Sequence, residues 1–241
     1  MLRNYLKVAF RNLSRNKLYS SINIFGLAAG LAVCLLIMLY IFDELSYDKY
    51  HKDGDRIYRL VYSTNIGETW SAQPAPVAFT LKAEMPEAEQ VTRLFKVPDV
   101  DKILLQHEQG AETKKFFETN GYYVDSTFFE IFTYDFSYGN ARSALSLPNS
   151  IVLSESVAGK MFGNENPIGK TIKLQLPYGN PVYSVRAVFK ENHKSHIPAH
   201  FLMSMRNSDI GYMVDQQQSW ATNNIFHTYV KLRPGTDPEA T

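Results

Sequence analysis

From Ile22 to Phe42 the chain reads INIFGLAAGLAVCLLIMLYIF, a run without a charge in which Asn23 is the one strongly polar side chain. As a helix rising about 1.5 Å per residue it covers roughly 30 Å, the hydrocarbon thickness of a bilayer. A buried helix of a soluble protein keeps a polar stripe, and no face of this run carries a charge. A cleaved signal peptide has an apolar stretch of only about 7–15 residues followed by small residues. Here Asp43-Glu44-Leu45-Ser46-Tyr47-Asp48 follows instead, so the segment is expected to be retained. Leu31-Ala32-Val33-Cys34 departs from a lipoprotein box because Val33 is bulky and more apolar residues follow Cys34, so no lipidation is expected.

Charge sets the direction of the span. Arg3, Lys7, Arg11, Arg15 and Lys17 precede it without an acid, while Asp43, Glu44 and Asp48 come directly after it. The positive-inside rule places residues 1–21 in the cytoplasm, 22–42 in the membrane and 43–241 outside. Arg3, Lys7, Arg11 and Arg15 recur every fourth residue, and Leu2, Leu6, Ala9, Phe10 and Leu13 occupy another face. Residues 1–21 therefore read as an amphipathic basic segment, either a helix lying on the inner leaflet or a run of topogenic charges. Gly26 and Gly30 form a small-xxx-small face, which predicts close packing against another transmembrane helix.

The composition of the whole chain is that of an ordinary globular protein. Hydrophobic residues make up 45% and charged residues 20% of the 241-residue chain, enough apolar material for a core. Lys plus Arg number 25 against 24 for Asp plus Glu, a balance that argues against a nucleic-acid partner. The single cysteine, Cys34, rules out an intrachain disulfide. Stretches rich in β-branched and aromatic residues predict strands over Ile57–Ser63, Lys102–Gln106, Lys114–Thr119, Thr171–Leu176, Val182–Phe189 and Phe226–Leu232. Helices are expected over Pro76–Glu84, Ser126–Phe132 and Ser154–Phe162. The fold class is α+β, with Tyr138–Asn149 as an expected seam between subdomains.

Within residues 150–174 a β-run ends at Leu153, and Ser154 caps a helix that turns Ala158 and Met161 inward. Gly163 stops that helix, and Pro167 with Gly169 turns the chain into the next strand. This stretch, SIVLSESVAGKMFGNENPIGKTIKL, together with NYLKVAFRNLSRNKLYSSINIFGLAAGLA (4–32) and YIFDELSYDKYHKDGDRIYRL (40–60), resembles the N-terminal half of a MacB/FtsX-type ABC transporter permease. The most specific part runs from Val152-Leu153-Ser154-Glu155 through Phe162-Gly163 to Asn166-Pro167-Ile168-Gly169-Lys170, and resembles that family's periplasmic core signature. The resemblance implies a permease of the cell inner membrane with one helix before and three after a large periplasmic domain. It also implies pairing as a homo- or heterodimer, a cytoplasmic ABC ATPase subunit, a periplasmic adaptor, contact with membrane lipid, and a role in efflux or mechanotransmission. Thr236-Asp237-Pro238-Glu239 reads as the start of a further helix, so the domain is expected to be incomplete at its C-terminus.

No catalytic, cofactor-binding or metal-ligating residue is expected, and no cofactor. Gly163–Thr171 looks at first like a phosphate-binding loop. Five residues separate Gly163 from Gly169 where that motif has four, and the order is helix, loop, strand rather than strand, loop, helix. ATP hydrolysis is therefore assigned to a partner chain. His193, His196 and His200 are candidate zinc ligands by type, yet Pro198 breaks any helical face aligning them and no acid or cysteine lies between them. In the family an Asn-x-x-Ser-His turn like Asn192–His196 is a structural corner. No G-x-S-x-G elbow supports a Ser-His-Asp hydrolase. Trp70 and Trp220 are expected to fill the core. The alternative function is a single-pass membrane-anchored sensor or receptor ectodomain, followed by an anchored extracytoplasmic enzyme.

Overall fold

The computed structural model describes residues 2–64, 67–97, 100–110, 112–192, 194–206, 210, 211, 214, 219, 220 and 222–239. The chain divides into two units, Met1–Tyr47 and Asp48–Thr241. The first holds α1 (Leu2–Arg15) and α2 (Lys17–Glu44), so the second helix extends past the apolar run at both ends. Among the described residues α2 is the one helix long and apolar enough to cross a membrane, and none of its residues is buried. A side chain added at Gly26 or Gly30 would meet no atom within 4 Å.

The second unit is a mixed sheet flanked by short helices, so the α+β class expected from the sequence is the one the chain adopts. Its strands are β1 (Ile57–Arg59), β2 (Tyr62–Ser63), β3 (Thr69–Trp70), β4 (Ala88–Phe95), β5 (Ile103–Gln109), β6 (Glu112–Glu118), β7 (Gly121–Val124), β8 (Phe136–Tyr138), β9 (Ser150–Ser154), β10 (Thr171–Gln175), β11 (Val182–Phe189), β12 (Phe201–Ser204) and β13 (His227–Leu232). Its α-helices among the described residues are α3 (Pro76–Glu84), α4 (Phe128–Ile131), α5 (Ala141–Ala144) and α6 (Glu155–Phe162). In space the strands run β1-β13-β4-β7-β12-β9-β11-β10-β5-β6, with β8 also on β11, while β2 pairs with β3 apart from this sheet. β9 with β11 and β7 with β12 are parallel, and the other pairs are antiparallel.

Every residue of β9 is buried, as expected of a strand covered on both faces. Ile151 and Leu153 enter a cluster with Leu105, Tyr123, Met161 and Phe201, whereas Val152 joins Phe128, Phe132, Phe189 and Leu202. Burying side chains of this size stabilises by roughly 1.5–3 kcal/mol each before entropy is counted. Gly121 opens β7 because a Cβ there would lie 2.2 Å from Cζ of the fully buried Phe201 ring. β10 alternates exposed and buried residues, the signature of a strand with one solvated face.

The stretch that carries the family signature folds as its sequence dictates. Ser154 accepts a hydrogen bond from the Val157 amide and so caps α6, which buries Val157, Ala158, Met161 and Phe162. Gly163 ends the helix at φ 63°. The Lys170 amide then donates to the Pro167 carbonyl (3.1 Å) across Gly169 at φ 82°, the residue that this kind of turn needs at its third position.

Two charged groups tie the sheet to its surroundings. Arg93 on β4 is only 2% exposed, and its Nε and Nη2 donate to both oxygens of Asp125 at 2.9 and 2.8 Å. Its Nη1 donates to the Ala75 carbonyl (3.3 Å), and the guanidinium lies 4.3 Å from the Phe79 ring centre and 5.3 Å from that of Phe226. At the sheet's end, Arg56 meets Asp53 (2.6 Å) and Glu89 (2.7 Å), while Lys231 meets the same two acids at 2.7 and 3.1 Å. Arg56 also donates to the Leu232 carbonyl at 2.5 Å.

Several expectations are corrected. Trp70 and Trp220 are 50% and 59% exposed instead of filling the core. Trp70 stands on the β2–β3 hairpin, where its Nε1 donates to Glu68 (3.3 Å) away from the main sheet. The expected strand Ile57–Ser63 breaks at Leu60–Val61, where β1 leaves β13 and β2 turns to β3. The expected helix at Ser126–Phe132 shortens to α4. No seam exists at Tyr138–Asn149: Asp48–Thr241 is one compact unit, and Ala144 and Leu145 are fully buried in it. At the far end the Asp237 carboxylate accepts from the Glu239 amide (3.0 Å), a bond of the N-capping kind; residues 240 and 241 lie outside the described residues.

Candidate functional site

Asp48 is the first residue of the second unit, one short turn beyond α2, and its polar atoms are all engaged. Its backbone adopts φ 59°, a conformation that aspartate tolerates better than most residues. The Asp48 amide donates to the Lys194 carbonyl (2.9 Å), and its carboxylate accepts from the His196 amide (3.1 Å) and meets His196 Nδ1 at 2.7 Å. The other nitrogen of that ring, Nε2, lies 2.9 Å from the Tyr229 hydroxyl on β13. Burial pushes the Tyr229 hydroxyl up to about 12, so it remains a hydrogen-bond donor at neutral pH. With Nδ1–H aimed at Asp48, Nε2 is free to accept from Tyr229.

His51 packs beside this group. The Thr133 amide donates to His51 Nδ1 (3.1 Å), and the Lys52 amide donates to Thr133 Oγ1 (3.1 Å). A nitrogen that accepts carries no proton, so the neutral ring holds its proton on Nε2, a buried atom with no hydrogen-bond partner, 3.9 Å from Asp48 Oδ1. Phe132, almost fully buried, has its ring centre 5.2 Å from that of His51 and 5.1 Å from that of Tyr229. Burial is the main cause that lowers His51 below the ordinary histidine value; Asp48 opposes it and His196 adds to it.

From His196 the chain continues as Ile197-Pro198-Ala199-His200 into the central strand β12. Ser195, Ile197 and Ala199 are buried, whereas His196 is exposed and His200 half-buried. His200 Nδ1 meets Glu118 at 2.9 Å, and Lys160 on α6 meets the other Glu118 oxygen at 2.8 Å. Burial raises the Glu118 carboxyl, but Lys160, the Thr119 amide and His200 outweigh it and leave Glu118 below the usual glutamate value. A cleft of about 320 Å³ lies along the same segment, bounded among others by Tyr50, Tyr134, Ser195 and His200. A polar chain thus runs from Asp48 to His196, along one short segment to His200, and on through Glu118 to Lys160 on the signature helix.

The two pH-sensitive groups separate by range. The folded protein binds fewer protons at His51 than the unfolded chain does, so His51 contributes stability above about pH 6.5 that is lost as pH falls through its lowered folded value. Glu118 contributes stability above the ordinary value of 4.5, lost only as pH falls through its own lowered value. Thermal midpoints of the full chain are therefore expected to begin falling below about pH 6.5. In His51→Gln, whose amide oxygen still accepts from Thr133, the decline should start only in the glutamate range. A His51→Gln profile identical to that of the parent would remove His51 as the cause.

The histidines considered as zinc ligands are divided by the fold. His196 serves Asp48, His200 serves Glu118, and His193 lies outside the described residues. Among the described residues no group of three or more His, Cys, Asp or Glu side chains is placed to hold a metal ion. Lys170, which a phosphate loop would aim at its ligand, pairs with Glu165 and lies 5.1 Å from the Phe162 ring centre. In the sequence alone Asp48 reads as a flanking charge of the span, and Glu118 carries no signal of its own. The signal for Asp48 is its place directly after the span, within the stretch 40–60 that carries part of the resemblance.

The chain matches the family model described as MacB-like periplasmic core domain over residues 20–241. Among solved structures, a permease-assigned domain from Porphyromonas gingivalis is similar at 24% identity and a TM-score of 0.61, with 79% of this chain and 81% of that one covered. The periplasmic region of MacB from Actinobacillus actinomycetemcomitans is similar at 16% identity and a TM-score of 0.52, covering 77% and 78% of the two chains. No curated protein sequence matches significantly.

Proposed function

The chain belongs to the family of MacB-like periplasmic core domains, and from that membership we propose that it serves as a permease subunit of an ABC transporter of the MacB/FtsX type. In this role residues 1–21 lie in the cytoplasm, residues 22–42 cross the inner membrane and residues 43–241 form the periplasmic domain. A cytoplasmic ABC ATPase supplies the energy, a second permease completes a homo- or heterodimer, and a periplasmic adaptor and membrane lipid are further partners. The domain works by moving, either to export cargo or to pass force to another protein.

The family membership carries the permease role, and the structural feature that supports movement of the domain is the polar chain that begins at Asp48. The first residue of the outer unit is bound to Lys194, His196 and, through His196, to β13, while the same segment reaches α6 through His200, Glu118 and Lys160. A pull on the backbone that leaves the apolar helix would therefore load the sheet and the signature helix together. The basic residues before α2 and the acids after it support the orientation. Gly26 and Gly30, open on the surface of α2, supply a face for a neighbouring helix of the dimer or of the same permease.

Topology and partnership test the proposal together. A phosphatase fused after Thr241 is expected to be active and one fused before Ile22 inactive. Affinity purification of the chain from its native membrane should bring down an ABC ATPase in stoichiometric amount. An inactive C-terminal fusion would reverse the orientation. Correct orientation without any ATPase would favour the anchored sensor instead.

A further inference from the structure

We infer that the cleft between α1 and α2 binds the headgroup and upper acyl segment of an anionic phospholipid from the cytoplasmic leaflet; this rests on the orientation proposed above. The two helices join at Asn16, whose backbone (φ −112°, ψ 58°) interrupts the helical path and whose side chain makes no cap hydrogen bond. The bend opens a cleft of about 430 Å³. Asn12, Asn16 and Asn23 give it polar walls, and Leu13, Ile24 and Leu27 give it apolar ones.

These walls are ordered along the chain in the way a lipid is ordered along its length. Asn12 and Asn16 lie before the apolar run, Asn23 lies just inside it, and Ile24 and Leu27 continue into it. Carboxamides both donate and accept, so they suit phosphate oxygens and ester carbonyls alike. The apolar pair deeper in suits the first methylenes of a chain. Charge then selects among lipids. Arg11, Arg15 and Lys17 are exposed and adjoin the lining residues Asn12 and Asn16 in the chain, and no acidic residue occurs before Asp43. A zwitterionic headgroup would bring a cation that cancels its phosphate in this field, whereas an anionic one such as phosphatidylglycerol keeps a net negative charge. A peptide partner would have to place its backbone in the headgroup layer, where lipid is present at far higher concentration.

General attraction of basic residues to an anionic surface predicts lipid enrichment without a site, so the discriminating variant leaves charge unchanged. The full chain is purified in detergent with equal amounts of phosphatidylglycerol and phosphatidylcholine, and retained lipid is counted by native mass spectrometry. The parent is expected to retain phosphatidylglycerol about tenfold over phosphatidylcholine, the ratio that a difference of ~1.4 kcal/mol gives. Asn16→Leu/Asn23→Leu should lose most of that preference with all cations present. Arg11→Gln/Arg15→Gln should lose it with the cleft walls intact. Equal retention of both lipids by the parent, or full preference in the Asn variant, overturns the inference. Each variant is also checked for carbonate-resistant insertion and for the fusion orientation described above. An outward N-terminus would sink the orientation itself, whereas correct orientation without lipid preference would sink the lipid site alone.

Discussion

Asp125→Ala is expected to destabilise the outer unit by about 3–5 kcal/mol, the cost of removing one member of a buried ion pair. Arg93 stays almost wholly inside the protein, between Phe79 and Phe226, and cannot shed its charge. Without Asp125 its guanidinium keeps only the Ala75 carbonyl as an acceptor among the described residues, and the Arg93 amide, which also donates to Asp125 (2.8 Å), loses its partner. α3, β4, the turn after β7 and the entry to β13 all meet at this one guanidinium, so the loss is not local. Urea unfolding of the full chain in detergent measures it. Removing both charges together, as Arg93→Met/Asp125→Ala, should recover a substantial part of the deficit because no buried charge is then stranded. A single variant within ~1 kcal/mol of the parent would show that water reaches Arg93 and replaces the carboxylate.

In the permease role proposed above, Asp48→Ala is expected to reduce ATP-driven transport by about tenfold, the change that ~1.4 kcal/mol makes in a rate, while the fold survives. The carboxylate is 32% exposed, so its two bonds to His196 contribute toward the low end of the roughly 1.5–3 kcal/mol assigned to hydrogen bonds with a charged group. Such a loss leaves a domain of this size folded. It does remove the side-chain link between the chain emerging from α2 and the segment that leads to His200, Glu118 and Lys160. Asp48→Asn separates the components, since it still accepts from the His196 amide and tolerates the positive φ while losing the charge. An intermediate rate for Asp48→Asn fits a mechanical tie. Full transport by Asp48→Ala would mean that movement enters the domain elsewhere.

Much of this architecture is legible in the sequence because the informative residues are local. Pro76 and Met85-Pro86 bound α3 at the expected residues, Ser154 and Gly163 bound α6, and the runs at Thr171 and Val182 form β10 and β11. What escapes is set by distant partners. β4 carries Glu89, Gln90 and Arg93, polar residues that obscure a strand until Asp125 and the Arg56–Lys231 group are brought beside them. β7 and β12 are four residues each, too short for a period to register, yet they sit in the middle of the sheet. The two tryptophans mislead because size is no measure of burial, and β2–β3 and residue 220 lie outside the main sheet. The candidate site is the least visible part, since Asp48, His196 and Tyr229 come from three separate stretches and acquire a joint role only through contact.

β1 and β13 are hydrogen-bonded neighbours in which Ile57, where the chain enters the sheet, faces Lys231, next to the last residue before it leaves. Entrance and exit therefore share one edge, as the two ends of a zip fastener share one slider. Tension applied between them would peel the ladder open bond by bond from that end, a far weaker geometry than shear along the strands. The four charges of Asp53, Arg56, Glu89 and Lys231 sit at that very end, with Arg56 also gripping the Leu232 carbonyl. They act as the stop that keeps the fastener closed. Under tension between entrance and exit this end would take the load first, and because Lys231 is buried and Arg56 largely so, salt would screen the stop only weakly.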